Sequence, residues 1–103
     1  MEAVGILEVY GLVCALLSAD AGCKAGDVRL EDFDRNRPAS FEGVVVPLLV
    51  VLKFRGAVAD VEMAMAAAEE VAEGLSGVAS RHIIAAPHAE LEATLKQGGF
   101  DPR

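Results

Sequence analysis

The chain has 103 residues, 53% hydrophobic, 24% charged and 5% aromatic, and sixteen acidic residues against nine basic ones give a net charge of −7. That length fits one domain of the usual ~100–150 residues, able to bury a core without disulfides, and so apolar a composition excludes a disordered chain. The acidic balance argues against a nucleic-acid partner, because phosphate binding needs a basic surface.

No span is expected to cross a membrane. The longest nearly apolar run, Val44 to Leu52, has nine residues, whereas a spanning helix needs about twenty. Glu2 and Glu8 interrupt the start, which lacks the basic-then-apolar order of a signal peptide. The expectation is a cytoplasmic protein whose two cysteines are reduced.

Ala3 to Val9 is short and apolar and stops at Tyr10-Gly11, which predicts a buried strand. From Leu12 to Ala25 the period becomes helical, with Leu12, Leu16, Ala19 and Cys23 on one stripe and Val13 and Leu17 beside it. Asp20 and Lys24 stand four apart on the other side, acid before base, the supportive order. Gly26 is the expected stop. Val28 to Phe33 alternates with period two, as a half-exposed strand does. Asp34 to Gly43 is polar, contains Pro38 and is predicted to be loop. Val44 to Phe54 is the next strand, with regular pairing delayed to Leu48 by Pro47, and burial on both faces is expected over Leu48 to Leu52.

Arg55-Gly56 marks a turn. Val58, Val61, Met65, Ala68 and Ala72 form the second helical stripe, Asp60 suits the first turn, and Gly74 closes the helix. Glu62, Glu69, Glu70 and Glu73 fall on the opposite face, and the small run Met63 to Ala68 lets this helix lie close to a sheet. Val78 to Ala85 is a fourth strand. Pro87 opens a short third helix at the favoured first position, with Leu91 and Leu95 inward and Glu90 and Glu92 outward. The order β-α-β-β-α-β with a C-terminal helix predicts a single α+β domain over residues 1–103: a ferredoxin-like antiparallel sheet with both main helices on one face.

Candidate chemistry is thin. Cys14 and Cys23 lie nine apart on one helix, which puts them on opposite sides; they cannot pair with each other or share a metal within a subunit, and buried spectators are expected. His82 and His88 lack partners at metal-ligand spacing, so a structural hydrogen bond or an edge contact is the expectation. Glu69 and Glu73 read as solvation of an exposed helix. Neither a phosphate-binding glycine fingerprint nor a Gly-x-Ser-x-Gly elbow is present. No enzyme, cofactor or metal is expected. Two features point elsewhere. The connection Arg35 to Gly43 exceeds the ~2–5 residues of a hairpin loop, and the apolar content exceeds what one sheet and three helices cover, for which association of copies is the usual remedy.

The sequence resembles the bacterial microcompartment (BMC) shell-domain family. Ala3 to Leu12 is similar to that family's first strand and turn, and Ser18 to Ala25 to its first-helix signature. Val28 to Arg35 and Val50 to Gly56 resemble the second strand and the third, ending in Arg-Gly; His82 to His88 resembles the fourth with its Pro-His. The resemblance covers about Ala3 to Leu95. It implies a homohexamer that tiles with other shell proteins around encapsulated enzymes, inside the cytoplasm, with no membrane or nucleic acid as partner. Lys24, oriented by Asp20, takes the place of the hexamer-edge lysine, with Asp27 where the family usually has Asn. Arg81, Pro87 and His88 fall in the same assembly region, with Ala86 where many members carry an arginine. Arg35, Asn36, Arg37, Pro38, Ala39, Ser40, Phe41, Glu42 and Gly43 occupy the place of the pore loop. That loop is longer than the common type and looks like a subgroup linked to glycyl-radical enzyme compartments; with no cysteine in it, an iron–sulfur cluster is not carried over. Six copies turn each loop side chain into a ring: Arg37 at the axis favours anions, Phe41 an apolar constriction. The alternative from another class is a ferredoxin-like regulator that senses a small ligand.

Overall fold

A computed structural model describes residues 2–36 and 48–96. The elements are β1 (Ala3–Tyr10), α1 (Leu12–Ala25), β2 (Arg29–Asn36), β3 (Leu49–Gly56), α2 (Val58–Glu73), β4 (Val78–Ile84), a 3-10 turn (Ala89–Leu91) and α3 (Glu92–Leu95). The strands form one antiparallel sheet in the order β2-β3-β1-β4. This is the α+β arrangement expected from the element order.

Register assigns the two faces. Ala3, Gly5, Leu7 and Val9 lie opposite Gly56, Phe54, Leu52 and Val50, and both main helices pack on that side. Its core adds Ala15 and Ala19 from α1 and Val61, Ala64, Met65, Ala68 and Ala72 from α2. Each fully buried large side chain, such as Phe54 or Leu7, contributes about 1.5–3 kcal/mol.

Contact distance decides which residues of α1 turn inward. A Cβ on Gly22 would sit 2.5 Å from Phe54 Cζ and 3.1 Å from the Ala64 carbonyl. Likewise a Cβ on Gly5 would meet Met65 Cγ and Val61 Cγ1 at 2.8 Å, so α2 rests directly on β1. At such separations only a small-residue face fits. The inward residues of α1 are therefore Cys14, Ala15, Ser18, Ala19 and Gly22, and the leucine stripe expected to be core is not. Leu12, Val13, Leu16 and Leu17 are 42%, 70%, 50% and 48% exposed. Cys23 is exposed rather than a buried spectator, while Cys14 is buried. On α2 the expected stripe holds except at Val58, which is exposed.

Two boundaries also differ. β2 runs on to Asn36, so Asp34, Arg35 and Asn36 pair with Val51, Val50 and Leu49 instead of opening the loop. Arg37 to Gly43 and the expected strand start at Val44 to Pro47 lie outside the described residues. Pro87 precedes the last helical turns rather than beginning them, and His88 is the residue that caps Ala89–Leu91. Leu48, Leu49 and Val51 are half-buried; β3 is buried on both faces further along, where Lys53 and Arg55 are 6% and 3% exposed.

Gly22→Ala is expected to cost about 1–3 kcal/mol in chemical denaturation, because Phe54 and the α2 backbone must give way. A variant as stable as the parent would mean that α1 is not seated this closely.

Candidate functional site

Chain direction sorts the candidate residues into the two ends of the sheet. β1 and β3 are antiparallel, with Tyr10 opposite Leu49 at one end and Ala3 opposite Gly56 at the other. Asn36 and Leu48, which flank residues 37–47, lie at the Tyr10 end, where Asn36 pairs with Leu49 and the Gly11 N–H donates to the Leu48 carbonyl at 2.7 Å. α1 starts at that end and returns, which brings Lys24 and Asp27 to the Gly56 end. There, a Cβ on Gly56 would lie 2.9 Å from the Asp27 carbonyl. β4 also finishes at this end, with Ile84 opposite Val4, so Pro87 and His88 follow there. An eight-residue strand separates the two ends, on the order of 26 Å. Lys24, Asp27, Pro87 and His88 thus share one end, and Asn36 and Leu48 lie at the other.

Lys24 and Arg81 each pair with a nearby carboxylate. Lys24 Nζ lies 2.8 Å from Asp20 Oδ2, and this carboxylate holds the ammonium above its ordinary pKa by hydrogen bonding and charge. The pair is well exposed, at 75% and 58%, so it orients the lysine more than it stabilises the fold. Lys24 also sits in the last turn of α1, where a cation suits the helix dipole. The Asp27 N–H donates to Asp60 Oδ1 at 3.2 Å, which ties the end of α1 to the first turn of α2. Arg81 stands midway along the edge strand β4, opposite Leu7, and reaches Glu69 of α2 at 2.7 Å. Pro87 is buried. His88 Nδ1 accepts from the Glu90 N–H at 3.1 Å, the structural bond expected of it.

The exposed face of α1 continues into neighbouring surface. Grooves of about 500 Å³ and 520 Å³ run along it, one between Leu17, Asp20 and Leu75 and one between Tyr10, Leu12, Val13 and Leu75. Leu75 is itself 54% exposed. Among the described residues no group of three or more His, Cys, Asp or Glu could hold a metal, and no helix is long and apolar enough to cross a membrane. Sequence reasoning missed Lys53 and Arg55, whose alternation with Leu52 and Phe54 was the available signal for two cations on the sheet's far face.

Residues 3–87 match the family model of the BMC domain. The chain belongs to the BMC-domain family. It is 37% identical to carboxysome shell protein CsoS1C of Hydrogenovibrio crunogenus over 97% of this chain and 90% of that one. With the microcompartment shell protein PduA of Citrobacter freundii it shares 31%, over 94% and 95%. A microcompartment protein from Desulfitobacterium hafniense has the same fold, with a TM-score of 0.69 at 24% identity; the match covers 95% of this chain and 48% of that longer one. This BMC-domain chain is a structural shell protein of a bacterial microcompartment and not an enzyme, which displaces the regulator alternative. Shell proteins of this family assemble with other shell proteins. The relatives named are carboxysome and Pdu proteins, so the glycyl-radical subgroup rests on the long connection alone.

Native-state thiol labelling checks the geometry at the end of α1. Cys23 is expected to react and Cys14 to stay protected until the chain unfolds. Partial burial, and then Asp20, push the Cys23 thiol up, so Asp20→Asn is expected to raise its labelling rate by roughly twofold. Equal labelling of both thiols would contradict this arrangement.

Proposed function

We propose that six copies close round an axis, with the segment 37–47 at the centre and the end of α1 at the perimeter. What supports the reading is that Asn36 and Leu48, which flank that segment, lie at one end of the sheet, and Lys24, Asp27, Pro87 and His88 at the other. In a flat ring, one end of each protomer must be central and the other peripheral.

Two surfaces suit two contacts. Leu12, Val13, Leu16 and Leu17 form an apolar strip that is costly to leave in water, and it suits the contact between neighbours within the ring. A ring of identical heterologous contacts that closes is a standard route to cyclic oligomers. Lys24, oriented by Asp20, suits the contact between rings, so that hexamers tile into a layer around encapsulated enzymes. Arg35 and Asn36 end β2 and lead into the central segment. There, Arg37 and Phe41 are the residues that set whether anions or apolar solutes pass.

Two substitutions separate the two contacts. Leu16→Glu is expected to convert hexamers to monomers in light scattering with the fold intact, since a half-exposed position tolerates the charge. Lys24→Ala is expected to leave the hexamer and abolish sheets or tubes in electron micrographs. A monomeric parent protein at high concentration would overturn the proposal. So would loss of the hexamer in Lys24→Ala, which would place that lysine within the ring.

A further inference from the structure

The far face of the sheet carries two buried cations under the C-terminal turns. Lys53 Nζ donates to the Leu95 carbonyl at 3.1 Å. Arg55 Nη2 donates to both carboxylate oxygens of Glu92, at 2.8 and 3.0 Å. Glu92, expected to point outward, instead turns onto the sheet. Arg55 Nε and Nη1 are buried without a hydrogen bond; the nearest further carboxylate, Glu2 Oε1, lies 3.8 Å from Nε. Buried donors left unpaired are costly, so the guanidinium depends on the Glu92 carboxylate.

The rest of the attachment is slight. Residues 85–88 carry no helix or strand, and Ala85, Ala86, His88, Ala89, Glu90, Ala93, Thr94 and Lys96 are exposed. Leu95, at 6% exposure, is the one buried side chain of α3, and it lies outside the main core cluster. A segment with so few apolar contacts opens more readily than the body beneath it.

We propose that residues 89–96 form a releasable strap, locked onto the sheet by Glu92 on Arg55 and by the Leu95 carbonyl on Lys53, which opens as one unit in acid while the sheet stays folded. The device does not require six copies to close in a ring. Its trigger is the Glu92 carboxylate, which the Arg55 hydrogen bonds hold below its ordinary value of 4.5. A depressed carboxyl contributes its full stabilisation above the ordinary value and loses it as pH falls through the lowered one. The charged groups acting on it are Arg55 from β3, Lys96 on its own turn and Glu2 ahead of β1. Glu2 is drawn toward Arg29, which hydrogen-bonds it at 3.0 and 3.1 Å and lowers its carboxyl in turn. His88 caps the strap through Nδ1, and a doubly protonated ring cannot accept that bond.

Hydrogen exchange on the full chain, corrected for intrinsic rates, tests the strap. In the parent protein, exchange at 89–96 is expected to rise at least about tenfold as pH falls through the lowered Glu92 value, with β1 and β3 still protected. Glu92→Gln is expected to reach that level already at pH 7 and to show no acid step. His88→Asn keeps an acceptor that does not titrate and is expected to retain the step. The proposal is overturned by strap and sheet exchanging together in the parent protein, by Glu92→Gln staying within about twofold of the parent at pH 7, or by His88→Asn abolishing the acid step.

Discussion

The close seat of α1 on α2 and Phe54 is the constraint on which the rest of the structure depends. Gly22 has no room for a Cβ against the Phe54 ring and the Ala64 carbonyl, so the helix can present only its small residues to the core. Leu12, Val13, Leu16 and Leu17 must then face outward. A surface that looks wasteful in one copy follows directly from tight packing inside it. In this fold, a tightly packed core and an apolar outer strip are two consequences of one choice of helix face.

The sheet is used differently on its two sides. Toward the helices it is closed by aliphatic and aromatic packing, with Leu7, Leu52, Phe54 and Met65 fully buried. On the other side, the cover is a short turn-and-helix held through Lys53 and Arg55. An apolar interface has no single titratable group on which it depends, whereas a carboxylate on a buried guanidinium does. The two layers therefore differ in how they respond to acid and salt, although they share the same strands.

Much of this architecture was legible in the sequence, and the reasons are local. Strand and helix periods, the glycine stops at Gly26 and Gly74, and the element order determine the topology, because crossover handedness leaves few alternatives. Asp20 and Lys24 were legible because a four-residue spacing brings them together on any helix. The inward face of α1 was not, since its apolar residues lie on both sides and periodicity alone cannot rank leucine against alanine. What decides is the distance to Phe54, a tertiary contact that spacing along the helix does not encode. The extension of β2 through Asn36 was hidden for a similar reason: Asp34 to Asn36 is polar in sequence, and pairing with the apolar Leu49 to Val51 stretch keeps it in the ladder. Glu92 looked like an outward acid because its partner is set by a strand far back in the chain.

The two helices that share a sheet face also divide the outer surface between them. α1 shows the leucine strip, while α2 shows Glu62, Glu70 and Glu73, all exposed. With a net charge of −7 per chain, contact through the acidic helices of two copies brings like charges together, at a cost that grows as salt falls. Contact through α1 buries apolar area and meets no such repulsion beyond Asp20, which Lys24 already neutralises. Charge on one helix and its near-absence on the other thus favour α1 over α2 as the contact surface in the proposed ring. The same lysine that balances Asp20 lies at the far end of that helix, so in the proposed ring a copy engaged along its leucines would still have a cation to present to a second neighbour.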